Sequence, residues 1–168
     1  DALPVRFALT TTQGKFSAES LVVASGGLSI PTLGSSGFGY DLAKQFGHTV
    51  LPLRAGLVPF TFSDGVKAVT ERLSGLAVPV SLSAADATFT ENLLFTHRGL
   101  SGPAVLQVSN YWQLGESIHI DLLPGKDIEA WLKEQKRLHA KSLLRTLLSE
   151  RLAKALVLEL QVLLWPTW

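Results

Sequence analysis

Ser20-Leu21-Val22-Val23-Ala24-Ser25-Gly26-Gly27 is the stretch on which the reading of the fold turns. Residues 21–24 are apolar without a break, and a run that does not alternate suits a strand buried on both faces of a parallel sheet. It closes on a glycine pair. In open α/β sheets the carboxyl ends of strands are where main chain meets ligand, and glycine lets the backbone approach with no Cβ in the way. The competing reading is a tight turn after a strand.

Outward from this run, residues 7–12 and 15–18 are short β-prone pieces separated by Gln13-Gly14, which predicts a hairpin with Gly14 at positive φ. Beyond the glycine pair comes a loop of small residues. A helix is predicted over residues 38–46 with Gly47 as its stop, and an apolar strand over 48–53. The order β-loop-α-β is an α/β signature. After Arg54 the character changes. Residues 57–62, 76–83, 87–90 and 117–122 read as short strands, 93–95 as another extended piece, and 104–111, opened by Gly102-Pro103, as a helix. From Asp127 the pattern is helical. Leu144, Leu148, Leu152 and Leu156 step by four, with Leu143, Leu147 and Ala155 alongside, giving one apolar stripe. The expected fold class is therefore mixed, α/β then α+β. Residues 1–54 form one domain. Residues 55–168 form a second, with β-barrel-like strands over 57–122 and helices over 127–163.

Bulk composition narrows the function. The 168 residues are 46% apolar and 17% charged, which favours a packed core over disorder. A net charge of +1 supplies no field that points to nucleic acid or an anionic membrane. Lys133, Lys136, Arg137 and Lys141 are loosely grouped, which reads as a solvated helix face before a polyanion site. The absence of cysteine excludes disulfides, thiolate metal sites and a catalytic thiol, and makes the cytoplasm the default compartment. The most apolar segment, residues 152–165, is interrupted by Lys154 and Glu159 and is too short to span a membrane. The chain lacks methionine and starts at Asp1, so it is expected to be a piece of something longer.

Two further motifs could carry chemistry. Gly34-Ser35-Ser36-Gly37-Phe38-Gly39 differs from the G-x-G-x-x-G fingerprint, yet small residues at a helix start can hold an anion. Ser36 acting as a helix cap is the plainer reading. In Thr96-His97-Arg98-Gly99-Leu100-Ser101-Gly102-Pro103, Ser101 is placed to cap a helix with Pro103 in its first turn, and His97 and Arg98 could bind an anion or polarise a carbonyl. A lone histidine beside a turn is more often structural. Ser25 lacks the spacing of a nucleophile elbow, because Val23 stands where G-x-S-x-G needs glycine. His48, His97, His119 and His139 are scattered without metal-ligand spacing, and His119 with Asp121 lacks a third ligand.

Taken in order, residues 21–31, Gly34 to Tyr40, Phe46-Gly47-His48, Leu57-Val58-Pro59-Phe60, Gly75-Leu76 and residues 94–103 resemble the bacterial flavoprotein family of HI0933-like, or BaiN-like, NAD(P)/FAD-dependent oxidoreductases. The resemblance implies a Rossmann-like FAD-binding domain interrupted by an inserted domain. Residues 1–54 would be the late part of the first and residues 55–168 most of the second. It implies FAD against Ser25, Gly26 and Gly27, where many flavoproteins have Ala-Thr-Gly, and against Gly37, Phe38 and Gly39. It further implies that His97, Arg98, Ser101 and Gly102 face flavin or substrate. Hydride would pass from NAD(P)H through the flavin to an acceptor. The G-x-G-x-x-G strand and helix are not in this chain, so it is expected to be an internal fragment, inactive by itself and without bound FAD. Two alternatives from other classes stand beside this. One is a non-catalytic binding module that forms homo-oligomers through the leucine stripe. The other is an anion-binding domain built on the helix after Ser101.

Overall fold

The computed structural model describes residues 6–166, so the outer ends of the two expected domains, residues 1–5 and 167–168, lie outside the described residues. The chain divides into two compact units between Leu53 and Arg54. In the first unit, β1 (Phe7–Thr11) and β2 (Gly14–Ala18) pair antiparallel, with Gly14 at φ 125°. Thr11 braces the turn: its Oγ1 accepts from Gln13 N at 3.0 Å. Residues 20–24 do not form the expected strand, nor do residues 48–53, and no β-loop-α-β unit results. The reason is hydrogen bonding. A buried strand needs backbone partners on its flanks, and in this unit β1 and β2 partner only each other among the described residues. Val22 is therefore 84% exposed, and none of the unit's described residues is fully buried. The predicted helix is present as α1 (Phe38–Gln45), and Gly47 at φ 78° ends it.

The second unit is built on alternation. It begins with the two-residue β3 (Phe60–Thr61) and α2 (Gly65–Arg72). A hairpin of β4 (Ala77–Ala84) and β5 (Ala87–Thr96) follows, then β6 (Gly99–Ser101), α3 (Pro103–Val108) and β7 (His119–Asp121). The sheet order is β3-β6-β5-β4-β7, every neighbouring pair antiparallel, and no pairing among the described residues closes it into a barrel. In β4 every second residue, Val78, Val80, Leu82 and Ala84, is buried. This is the period-two pattern of a sheet with one packed face. Ala104, Val105 and Val108 of α3 and Leu93 and Phe95 of β5 complete that face. Each buried Val or Leu contributes about 1.5–3 kcal/mol relative to exposure.

Several elements differ from expectation. Helix α2 is absent from the sequence reading. Asp64 starts it, with Oδ1 accepting from Val66 N at 3.0 Å, and Val69 and Leu73 anchor it to the core. The strand expected over residues 57–62 shrinks to β3, while residues 87–90 and 93–95 are one ten-residue strand. The leucine stripe is not one helix face. After α4 (Ile128–Leu138), Leu144 and Leu148 lie on α5 (Leu144–Leu148) and Leu156 on α6 (Lys154–Leu164), with Leu152 between them. Ser149 marks the break, its Oγ donating to Arg145 O at 2.7 Å, a local bond that competes with helix continuation. No helix among the described residues is long and apolar enough to cross a membrane.

Two glycines and one ion pair fasten the sheet to its cover. A Cβ on Gly99 (φ 151°) would strike the Phe60 carbonyl, and one on Gly102 (φ 93°) would lie 2.8 Å from both Asn92 O and Leu94 N. Arg72 of α2 grips Glu159 of α6 with two bonds of 2.6 and 2.7 Å. Replacing Gly99 or Gly102 by Ala is expected to cost about 2–4 kcal/mol in urea unfolding, because strain and collision add. Gly75→Ala, at φ 92° but with open space around it, should cost only about 1–2 kcal/mol. The bonds from Arg72 hold the Glu159 carboxyl below the usual carboxylate range. Its stabilisation is therefore present above about pH 4.3, the value of a free Glu, and is lost as pH falls through the depressed native value. The gap in urea midpoint between wild type and Glu159→Gln should accordingly be widest near neutrality and close in acid. A gap constant with pH would contradict this.

Candidate functional site

In the first unit the two glycine-bearing motifs meet. Gly37 begins α1, its carbonyl accepting from Tyr40 N at 2.9 Å and Asp41 N at 3.1 Å, and Ser36 Oγ accepts from Phe38 N at 3.4 Å. A Cβ on Gly39 would touch Ser25 Oγ at 3.4 Å and Val23 Cγ1 at 3.8 Å, and one on Gly27 would sit 3.3 Å from Tyr40 Oη. The loop after residue 24 thus lies on the first turn of α1, and the small side chains at 27 and 39 permit that approach. Gly26 is different: its φ is 74° and a Cβ there would meet nothing within 4 Å. Gly26 is exposed, as are Val22, Val23 and Ser25 before it and Phe38 at the start of α1. Tyr40 was missed by sequence reasoning, since a tyrosine in a first helical turn gives no sign that a glycine thirteen positions earlier faces it.

In the second unit the turn between β5 and β6 carries His97 and Arg98. Thr96 organises it: its Oγ1 accepts from Arg98 N at 3.3 Å and Gly99 N at 3.2 Å and donates to Gly99 O at 3.0 Å. The turn borders a hollow of about 330 Å³, into whose lining Phe60, Thr61, Thr96, His97, Arg98 and Ser101 are brought. His97 and Arg98 are exposed and make no ion pair among the described residues. Ser101 does not cap α3. It is the last residue of β6, opposite Leu94, and Gly102 holds the cap position instead. The cause is the Gly102 backbone at φ 93°, ψ 167°, which turns the chain into α3 and leaves Ser101 in the ladder. Gly102 itself packs against β5 rather than lining the hollow.

A wider cavity, about 530 Å³, lies on the other side of β3, lined by Arg54, Val58, Phe60 and Trp112 among others. Phe60 and Trp112 meet edge to face at 5.2 Å. Ser109 and Asn110, at the end of α3, hold its wall by accepting from Val58 N at 3.0 Å and Leu57 N at 3.1 Å. These clamps join positions more than fifty residues apart, beyond the reach of local pattern reading. His119 and Asp121 share β7, but no group of three or more metal-ligating side chains occurs among the described residues.

Comparison with known proteins adds to this geometry. The family described as "HI0933-like protein barrel and H2TH domain" matches residues 54–163. Ribosomal RNA dihydrouridine synthase of Escherichia coli strain K12 is 55% identical over 146 residues, covering 86% of this chain and 36% of that protein. The protein of the same name from Haemophilus influenzae is 49% identical over 154 residues, 91% of this chain and 38% of its own. A 3-dehydro-bile acid delta(4,6)-reductase of Clostridium scindens is 30% identical over 131 residues, 70% and 31% respectively. The chain thus spans about a third of the length of the curated relatives it matches.

Thr96 is the side chain on which the His97–Arg98 turn depends. Thr96→Val keeps the volume and removes the hydroxyl. It should cost about 1–2 kcal/mol and raise amide hydrogen exchange at Arg98 and Gly99 while leaving the core amide of Leu93 unchanged. Unaltered exchange at Gly99 would show that the turn stands without it.

Proposed function

The chain belongs to the HI0933-like protein barrel and H2TH domain family, and we infer that it is part of an FAD-dependent oxidoreductase that uses NAD(P)H to reduce a carbon–carbon double bond conjugated to a carbonyl, with a uridine of ribosomal RNA as the substrate class. The observation that most supports this is the 55% and 49% identity, across both units, to two proteins named for making dihydrouridine in ribosomal RNA. Dihydrouridine differs from uridine by two hydrogens across C5 and C6, and that double bond is conjugated to the C4 carbonyl. A 3-dehydro-bile acid delta(4,6)-reductase acts on a comparable arrangement, unsaturation beside a 3-keto group. Reducing such a bond requires a hydride at the carbon far from the carbonyl and a proton at the near carbon, and in this reading the hydride equivalent comes from oxidation of NAD(P)H. FAD supplies the relay of that electron pair between two substrates that need not be bound together.

In this reading Ser25, Gly26 and Gly27, with Gly37, Phe38 and Gly39, hold the flavin. The bare main chain at Gly26 lies against it, and the Ser25 hydroxyl offers a hydrogen bond to its polar edge. His97 and Arg98, with Ser101, receive the polar side of the substrate, where an uncompensated guanidinium favours a carbonyl or phosphate oxygen, while Gly102 sets the turn into α3 behind them. Because the chain spans about a third of its relatives' length, flavin binding and turnover are proposed for a protein of their full length.

The test is flavin uptake by the protein extended to the length of its relatives. The expected product is yellow, and with NADPH or NADH it adds two hydrogens to a uridine in unmodified ribosomal RNA, read by mass spectrometry of the digested nucleosides. Gly26→Val should weaken flavin binding at least tenfold. Gly47→Val, the same substitution at a comparable φ of 78° and equally open, should leave it nearly unchanged, which separates loss of ligand contact from backbone strain. A colourless extended protein that takes up no FAD would end the proposal.

A further inference from the structure

Charge is unevenly spread along the chain. Residues 126–154 hold eight Lys and Arg against four Asp and Glu, net +4, whereas the remaining positions hold seven against ten, net −3. Within the basic segment, Lys133 pairs with Glu129, Arg137 with Glu134, and Arg151 lies over the Trp131 ring. Lys136, Lys141 and Arg145 are exposed and make no ion pair among the described residues. A helix dipole accounts for cations in the last turn of α4. It does not account for Lys141, which precedes the start of α5, the end where a cation is disfavoured. Lys136 lines one feature, and Lys141 and Arg145 directly adjoin residues that line it, Ala140, Ser142 and Leu144. A groove of about 500 Å³ runs between the end of α4 and α5, lined by Leu132, Lys136, His139, Leu143, Leu144 and Trp165 among others. Leu143 and Leu144 remain substantially exposed in it.

A groove with an aromatic and aliphatic lining and unpaired cations at its border has the two elements that single-stranded nucleic acid uses: cations for the phosphates and an aromatic face for a base. We propose that this groove, with Lys136, Lys141 and Arg145, docks a single-stranded segment of RNA and so presents the substrate named above; the proposal rests on that reading for the identity of the polyanion. It assigns RNA recognition to residues of the helices, none of which lines the His97–Arg98 hollow. It also revises the expectation that the basic group of Lys133, Lys136, Arg137 and Lys141 is only a solvated face, because ion pairing uses Lys133 and Arg137 and leaves Lys136 and Lys141.

The test uses the full 168-residue chain and a fluorescein-labelled, uridine-rich single-stranded RNA, followed by fluorescence anisotropy. Three phosphate contacts at about −0.7 each in the salt slope predict roughly twentyfold weaker binding between about 50 and about 200 mM salt. The triple variant Lys136→Gln, Lys141→Gln, Arg145→Gln should bind at least tenfold more weakly at the lower salt, with a slope shallower by about 2. Trp165→Ala should lose about fivefold or more in affinity with the slope kept, as expected for a stacking contact. A control triple with the same charge loss elsewhere, Lys15→Gln, Lys44→Gln, Lys67→Gln, should leave binding and slope nearly as they were. If the control weakens binding as much as the test triple, if polyglutamate competes as well as RNA, or if the chain binds no RNA, the surface is wrongly assigned. Flavin uptake by the extended protein is scored separately. RNA docking without flavin uptake sinks the reductase and spares the groove, and flavin uptake without RNA docking does the reverse.

Discussion

The inward face of the β4–β5 hairpin against α3 is the contact on which the second unit depends. Val80, Leu82 and Leu93 are fully enclosed there, as are Val105 and Val108 from the helix. Because alternate residues of β4 point to that face, a one-residue slip in register would turn Val78, Val80, Leu82 and Ala84 outward together. Register is therefore held by several buried side chains at once. From it follows the position of β6, which hydrogen-bonds to the end of β5. The His97–Arg98 turn then has only two residues to join them. The hollow beside that turn is a by-product of sheet geometry, fixed by hydrophobic packing some distance from the polar groups that would use it.

Against that frame, what the sequence made legible was periodicity. The alternation in residues 76–83, the turn at Gln13-Gly14, the helix after Gly37 and the proline at the start of α3 all have short-range causes and appear nearly where expected. Elements whose causes lie elsewhere in the chain did not. Helix α2 is half polar and only eight residues long, and its place is set by Val69 and Leu73 meeting a core that forms from later residues. Ser101 has the residue type of a cap, but the ladder with Leu94 claims it first. The run at residues 20–24 shows the limit most clearly. An unbroken apolar stretch states that burial is favourable; it carries no information on whether covering strands are at hand.

The candidate sites follow the same division. Glycines at 26, 27, 37 and 39 signalled close approach, but what approaches differs. Gly27 and Gly39 make room for Tyr40 and Ser25 of the chain itself, and only Gly26 faces open space. His97 and Arg98 stood out by type, while Thr96, which shapes their turn, did not. In the helices, charge counting weighed the whole chain and found near balance. The relevant quantity was the residue of unpaired cations after local ion pairs form, and that needs a structure.

The first unit has one further consequence. Val22 and Val23 are β-prone, uncharged and largely exposed, and the backbone from Ser20 to Ala24 is outside any ladder. Such a segment offers amides and carbonyls to whatever extended chain arrives first. In a longer polypeptide the neighbour arrives by folding. At high concentration of this chain alone, another copy of the same segment can take its place, and identical stretches stacked in register form the dry interfaces of amyloid. The feature that reads as a binding element in one setting is then an aggregation hazard in another.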